Sequence, residues 1–494
     1  MNRGQAREQP AIYSATKWAF VMNWGDKGVN ALFTFVLAAI LGPRDFGIVA
    51  IALAYIAFVQ IFLDQGFSAA LIQRPNLEPE HLDTVFWVCM IISPILMVFT
   101  IGLSYWGARV NNLSELMMVV SVLSVSLPIE GLTVVQGAIL KRAMDFKTLS
   151  LRSNGSVLAG GVVGLVMALA GYGVWALVAQ QVIRDLSALV LLWAASTWRP
   201  HLRFSWKHLR ELLGFSVANF MAKMGVFANS QFDALIIGIF LGPVAVGLYR
   251  LAERIMATML DIMSNSLQTI SFAQFSRVQS DSRELKRTVL FYLWLSLILT
   301  VPSMVGLGLS SNLIIYIIGQ QWASAANALK MLCILGIAMA FVPFTGPLLQ
   351  AVSRAKNLAM LNWMFAGIWA VVLAGSGFAF RHYDVDTQVP GIALARLLMG
   401  CLISTPILVH VLMRVCGISL HEIAHAAGSS MVAAVATAVA IVAIQYTGLL
   451  ESLRPVYSLA AYAVTGGLAA GLTLITVDSR VRSLVRFYFC SSPR

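Results

Sequence analysis

The chain has 494 residues, 59% of them hydrophobic and 11% charged, with a formal net charge of +12. So much apolar side chain cannot be hidden inside a water-soluble domain, which excludes a soluble enzyme of this length. The positive charge does not mark a nucleic-acid binder, because the basic residues sit in short clusters between long apolar stretches, as in membrane proteins oriented by their loops.

About 20 apolar residues cross a bilayer once, and they do so as a helix, since lipid offers no partner to open backbone groups. Fourteen such spans are expected, near residues 14–41, 45–71, 82–108, 113–140, 148–171, 174–196, 209–241, 244–272, 285–309, 325–351, 357–380, 388–413, 421–447 and 455–477. The fold class is therefore an all-α membrane protein. The first stretch is long enough to stay as a span, and no cleavable leader is evident. The apolar piece NLIIYIIG (Asn312–Gly319) is too short to cross and is expected to be interfacial or re-entrant. Pro94, Pro128, Pro302, Pro343, Pro347 and Pro406 fall inside spans and are expected to kink them. No connection exceeds about 16 residues, which leaves no room for a soluble catalytic domain, a nucleotide-binding loop or a nucleic-acid module.

Loop charge fixes an orientation. With the N-terminus in the cytoplasm, the cytoplasmic segments hold 22 Lys and Arg and the opposite side holds four, Arg44, Arg109, Arg381 and Arg454. That asymmetry, with an even number of spans, predicts both termini in the cytoplasm.

One corner is written twice. LGPRDFG, from Leu41, joins the first two expected spans, and LGPVAVG, from Leu241, joins the seventh and eighth, at an offset of 200 residues. Gly ends one helix and Pro opens the next. The flanking positions also register: Asn23, Gly25 and Asn30 align with Lys223, Gly225 and Ser230. Six spans separate the corners, so the repeats run parallel, and they predict two pseudo-symmetric six-helix bundles with a substrate site between them. The expected organisation is a first bundle over 1–205, a second over 206–415, and two additional C-terminal helices with a basic tail over 416–494.

Charges inside spans are the functional candidates, because each costs several kcal/mol against lipid and must face protein or a wet cavity. Asn23, Lys27, Asn30 and Thr34 fall within about 60° on one helix face, with Asp26 at its border. Asn219, Lys223, Ser230 and Asp233 form a similar stripe, and Arg250, Glu253, Arg254 and Asp261 share a third. Lys27, Lys223, Arg250, Arg254 and Arg396 are the candidate ligands of an anionic substrate. Asp26, Asp64, Asp233 and Asp261 are the candidates for coupling to a proton or sodium ion. The competing reading is internal ion pairing, such as Arg250 with Glu253.

HEIAH (His421–His425) matches the zinc-protease pattern HExxH. Ser419 and Glu422 also fit a capping box at the start of the thirteenth span, which explains the glutamate without chemistry. Five scattered cysteines form no CxxC pair and read as apolar fillers. No catalytic residue, metal ligand or cofactor is assigned.

LGPRDFGIVAIA, followed by DQGFSAALIQRPNLEPEHLDTVFW (Asp64–Trp87), resembles the Wzx-type polysaccharide flippases of the multidrug/oligosaccharidyl-lipid/polysaccharide exporter superfamily. So do LIIGIFLGPVAVGLYRLAERI, FAQFSRVQSD and GQQW (Gly319–Trp322), and the similarity lies closest to the colanic-acid and exopolysaccharide exporter branch. The resemblance implies a bacterial inner-membrane transporter, not an enzyme. It implies an undecaprenyl-pyrophosphate-linked oligosaccharide as substrate, flipped by alternating access alongside polysaccharide polymerase and export machinery. An ion-coupled multidrug exporter on the same fold is the alternative, and an intramembrane zinc protease a remote one.

Overall fold

A computed structural model describes residues 25, 27–64, 66–111, 114–447 and 454–483. Every regular element among the described residues is a helix. The chain divides into two compact units, Met1–Gly247 and Leu248–Arg494.

The first unit contains α1 (Lys27–Ile40), α2 (Pro43–Asp64), α3 (Phe67–Gln73), α4 (Pro79–Asn111), α5 (Ser114–Leu123), α6 (Ser126–Gly131), α7 (Val134–Arg142), α8 (Phe146–Leu169) and α9 (Val174–Ala195). It ends within the long α10 (Trp206–Val278), which is broken at Gly242 (φ 82°, ψ 179°). The second unit takes up the rest of α10 and adds α11 (Ser282–Leu309), α12 (Ser311–Ile318), α13 (Ala325–Ala338), α14 (Val342–Ala351), α15 (Ala355–Phe380), α16 (Val385–Met399), α17 (Thr405–Cys416), α18 (Leu420–Thr447) and α19 (Pro455–Val477).

Twelve helices or helix pairs among the described residues are long and apolar enough to cross a membrane. One of them, Lys223–Met263, is 41 residues long and holds the seventh and eighth expected spans on either side of the Gly242 break. The shorter α1 is the described part of the first. The second to fourteenth expected crossings are thereby matched among the described residues, and most of the N-terminal half of the first lies outside them.

Helix starts follow local chemistry. The Asp145 carboxylate accepts from the Thr148 backbone N–H at 3.1 Å and opens α8. Asp281 accepts from the N–H groups of Arg283 (2.8 Å) and Glu284 (3.2 Å) and opens α11. Breaks also have causes. The second expected span divides at Gly66, whose φ of 82° suits glycine. The fourth divides into α5, α6 and α7 around Pro128 and Gly131. The twelfth carries a π turn over Gly400–Ser404, directly before Pro406, whose missing N–H leaves a carbonyl one turn back to be satisfied by a wider register. NLIIYIIG forms α12, eight residues long, which at 1.5 Å per residue is about 12 Å and cannot cross.

Phe67, Leu71, Val85, Phe86 and Val135 pack α3, α4 and α7 into one core in the first unit. Phe275, Tyr292, Leu297, Phe344 and Leu412 pack α10, α11, α14 and α17 in the second. Facing outward on α4, Ile91, Ile95 and Val98 are each more than 60% exposed at four- and three-residue spacing. An apolar stripe on the outside of a bundle is a lipid-facing surface.

Candidate functional site

The repeated corner comes first, because it positions the helices that bear the charged stripes. Gly47 lies one turn into α2, and Gly247 occupies the equivalent place in α10. A Cβ on Gly47 would overlap the backbone carbonyl of Pro243, and one on Gly247 would overlap that of Pro43. Each corner's glycine thus receives the other corner's proline carbonyl. The two copies of LGPxxxG pack reciprocally within the first unit.

Beyond this corner, in the second unit, three of the charges singled out from the sequence meet. Arg250 Nη1 is 3.1 Å from Glu253 Oε2. Arg396 Nη1, from α16, is 3.0 Å from Glu253 Oε1 and donates to the Tyr249 hydroxyl at 2.8 Å. The Arg396 guanidinium also lies over the Trp369 ring, 4.9 Å from its centre. One carboxylate therefore serves two guanidiniums. The three side chains are 16–22% exposed, so the set remains reachable. The Arg250–Glu253 pairing read from the sequence as a structural alternative is present. Arg396 shares the same acid.

The other candidates are placed as follows. Arg254 and Asp261 are exposed on α10. Lys27 is exposed on α1, and Lys223 is half-buried on α10. Asp233 is buried at 2% exposure, and its carboxylate accepts from the Ala234 N–H at 2.9 Å. Thr34 closes on its own helix, donating to the Asn30 carbonyl at 2.7 Å. Asp26 and the Asp64 side chain lie outside the described residues.

The structure also assembles a cluster that sequence reading left dispersed. In the first unit, Glu130 at the end of α6, Arg152 on α8 and Asp185 on α9 interact electrostatically. Gln181 donates to both Asp185 oxygens at 3.0 and 3.2 Å, and Gln60 bonds Glu130. Glu130 Oε2 and Arg152 Nε are buried without a hydrogen-bond partner. The α6 break turns Glu130 inward. Arg152 lies on α8, inside the expected fifth span of 148–171. The Gln181–Asp185 spacing, one helical turn, was the available signal.

HEIAH is occupied by local structure. Glu422 accepts from the Ser419 backbone N–H at 2.8 Å, receives the Ser419 hydroxyl at 3.0 Å, and pairs with Lys286 at 2.8 Å. His421 and His425 are exposed. The capping box forms as expected, and its glutamate is committed to the helix start. Elsewhere in the second unit, an apolar cavity of about 420 Å³ is lined by Met259, Ile298, Pro302, Tyr462, Gly466 and Leu474, among others.

Residues 36–327 match the polysaccharide biosynthesis protein family. The chain is 26% identical over 365 residues to the succinoglycan biosynthesis transport protein ExoT of Rhizobium meliloti, covering 72% of this chain and 71% of that one. It is 24% identical over 371 residues to the lipopolysaccharide biosynthesis protein WzxC of Escherichia coli, covering 73% and 75%. In fold it is similar to the lipid II flippase MurJ in an inward closed conformation, with a TM-score of 0.72 at 13% identity over 95% of this chain and 99% of that one. It is also similar in fold to a multidrug resistance MATE family transporter of the MOP superfamily in an inward-facing conformation, with a TM-score of 0.62 at 14% identity over 81% of this chain and 99% of that one. More than half of the chain lies within the family match, and its all-helical membrane fold is that of flippases and related exporters; the chain belongs to the polysaccharide biosynthesis protein family.

Proposed function

We propose that this protein moves a polyprenyl-pyrophosphate-linked oligosaccharide, of the undecaprenyl type, from the cytoplasmic to the periplasmic leaflet of a bacterial inner membrane by alternating access. The observation that carries the reading is the Arg250–Glu253–Arg396 set, which holds two partly exposed guanidiniums side by side in a member of a polysaccharide biosynthesis family. A pyrophosphate and sugar hydroxyls cannot enter hydrocarbon cheaply. Guanidiniums suit a pyrophosphate through paired, charge-assisted hydrogen bonds. The apolar cavity beside Met259 and Tyr462 offers surface to the tail. Lys27 and Lys223 in the first unit and Arg254 in the second are the further candidate ligands of the anionic headgroup. Export of the polysaccharide, measured per unit of membrane-inserted protein, tests the reading. Wild-type export from a variant carrying Gln at all five positions would sink it.

The orientation follows from the 22-to-4 division of loop charge. Arg44, Lys147, Arg283 and Asp384 are all exposed, so each gives a usable probe. In a background without the native cysteines, single cysteines at Arg44 and Asp384 are expected to react with an impermeant maleimide from the periplasm. Those at Lys147 and Arg283 are expected to stay unlabelled in intact cells, and the reverse pattern would invert the topology.

For coupling to a proton or sodium gradient, Asp26, Asp64, Asp233 and Asp261 remain the assigned acids, and buried Asp233 is the foremost of the two whose side chains are described. Asp233→Asn is expected to leave gradient-independent binding in place and to remove the response of vesicle transport to an imposed ion gradient. Wild-type transport that ignores both gradients would end the coupling proposal.

A further inference from the structure

The transport reading makes no use of a side-chain cluster in the first unit where α4 and α10 begin. Glu78 immediately precedes α4, His81 lies in its first turn, and His208 lies in the first turn of α10. One potential ligand atom from each lies within 4.8 Å of the other two. His208 Nε2 is 3.0 Å from Glu78 Oε2, and the two imidazoles meet edge to face with centres 4.3 Å apart. We propose that Glu78, His81 and His208 form a binding site for a divalent transition ion, with zinc the ion best suited to the donors.

Two imidazoles and one carboxylate are a borderline-soft set that fits zinc and leaves a fourth position for water. Calcium and magnesium would demand oxygen ligands throughout. The tautomers are already set. The Glu78 backbone N–H donates to His81 Nδ1 at 3.2 Å, so that nitrogen carries a lone pair. His81 Nε2 faces Glu211 Oε2 at 3.3 Å, so the proton sits there. Coordination through Nδ1 would displace the Glu78 N–H from that lone pair and leave Nε2–H on a carboxylate, an outer arrangement that orients metal-bound histidines. Arg74 pairs with Glu211 and holds that carboxylate in its supporting position. On His208, Nδ1 is 2.7 Å from the Ser205 hydroxyl, which can accept from Nδ1–H, and in that tautomer the Nε2 lone pair can bind a metal.

Access and charge agree. The His81 side chain is 1% exposed and that of His208 12%, so both rings are held in place, whereas Glu78, at 60%, leaves a way in. Glu78, Glu211 and Arg74 together carry one net negative charge. The two helix N-termini oppose a cation weakly, and this excess acid offsets them. An ion here would tie the segment before α4 to the start of α10, since Glu78 and His208 are 130 residues apart.

The test uses the full-length protein, purified in detergent with an affinity tag free of histidine, stripped with chelator and titrated with Co²⁺. One equivalent per chain should give the visible absorption of a cobalt ion bound by nitrogen and oxygen in low coordination, and Zn²⁺ should displace it. Glu78→Gln and His208→Gln should each abolish the band, and Zn²⁺ should raise the Tm of the wild type but not of these variants. Glu211→Gln should weaken binding about 10–100-fold, because Glu211 acts through His81. Replacing His421 and His425 with Gln should change nothing. These variants avoid buried His81, and metal-free Tm values near the wild-type one confirm that they fold. No band in the wild type, a band that survives Glu78→Gln with His208→Gln, or one lost only with His421 and His425 would overturn the proposal.

Discussion

Arg396→Gln is expected to lower polysaccharide export by roughly 10- to 100-fold while leaving the amount of membrane-inserted protein nearly unchanged, since a hydrogen bond to a charged group is worth about 1.5–3 kcal/mol. The reason lies in the shared acid. Without Arg396, Glu253 still has Arg250 at 3.1 Å, so no carboxylate is stranded. What disappears is one of the two guanidiniums. Arg396→Lys should recover part of the activity, because an ammonium can still reach Tyr249 and face Trp369, though it cannot form a planar fork. Glu253→Gln should behave in the opposite way. It takes the shared carboxylate from two partly buried guanidiniums, and breaking such a pair from one side costs about 3–5 kcal/mol. The protein itself should then fall in level, and Glu253→Gln with Arg396→Gln should restore level without restoring export. The checks are export and inserted protein, measured together for each single and double variant. If Arg396→Gln lowers both in proportion, the set is a structural ion network and the substrate binds elsewhere.

What could be read from the sequence divides along the range of the interactions. Spans, the irregularities beside Pro128, Pro343 and Pro406 and the α18 capping box are local, and the chain announces them, whereas Pro94, Pro302 and Pro347 lie inside unbroken helices. Arg250 and Glu253 are three residues apart, so their pairing was visible as a possibility. That Arg396 comes to the same carboxylate was not visible, because nothing in the α16 sequence points to α10. Arg152 stands inside the expected fifth span, but its approach to Glu130 and Asp185 on other helices was equally invisible in the sequence. The histidine cluster was hidden for the same reason as Arg396. His81 stands in one helix start and His208 in another, and only the fold brings their rings to 4.3 Å. HEIAH carries the opposite lesson. A pattern compact enough to notice is also compact enough to arise from a helix cap.

The repeated corner gives the second large effect, and here two physical terms oppose each other. Gly47 lies inside α2, where helix propensity alone favours alanine over glycine by about 0.5–1 kcal/mol. Packing decides against it. The Cβ of Gly47→Ala would land on the Pro243 carbonyl, a backbone atom that no rotamer change can move aside. Overpacking typically costs about 1–3 kcal/mol and more where the neighbour is rigid, so both Gly47→Ala and Gly247→Ala are expected to lower Tm and the yield of monodisperse protein sharply. The other glycines of the same motif separate this cause from a general need for flexibility. Gly42 has open space around its missing Cβ and no left-handed φ, so Gly42→Ala should be nearly neutral. Gly242 also has open space, but its φ of 82° with ψ of 179° is a region nearly reserved for glycine, so Gly242→Ala should lose about 1–3 kcal/mol through backbone strain alone. The expected order of damage is Gly47 and Gly247, then Gly242, then Gly42. A Gly47→Ala protein as stable as the wild type would mean that the two corners do not pack carbonyl to glycine. The chain would then repeat LGPxxxG for its turn geometry and not because each copy is the socket for the other.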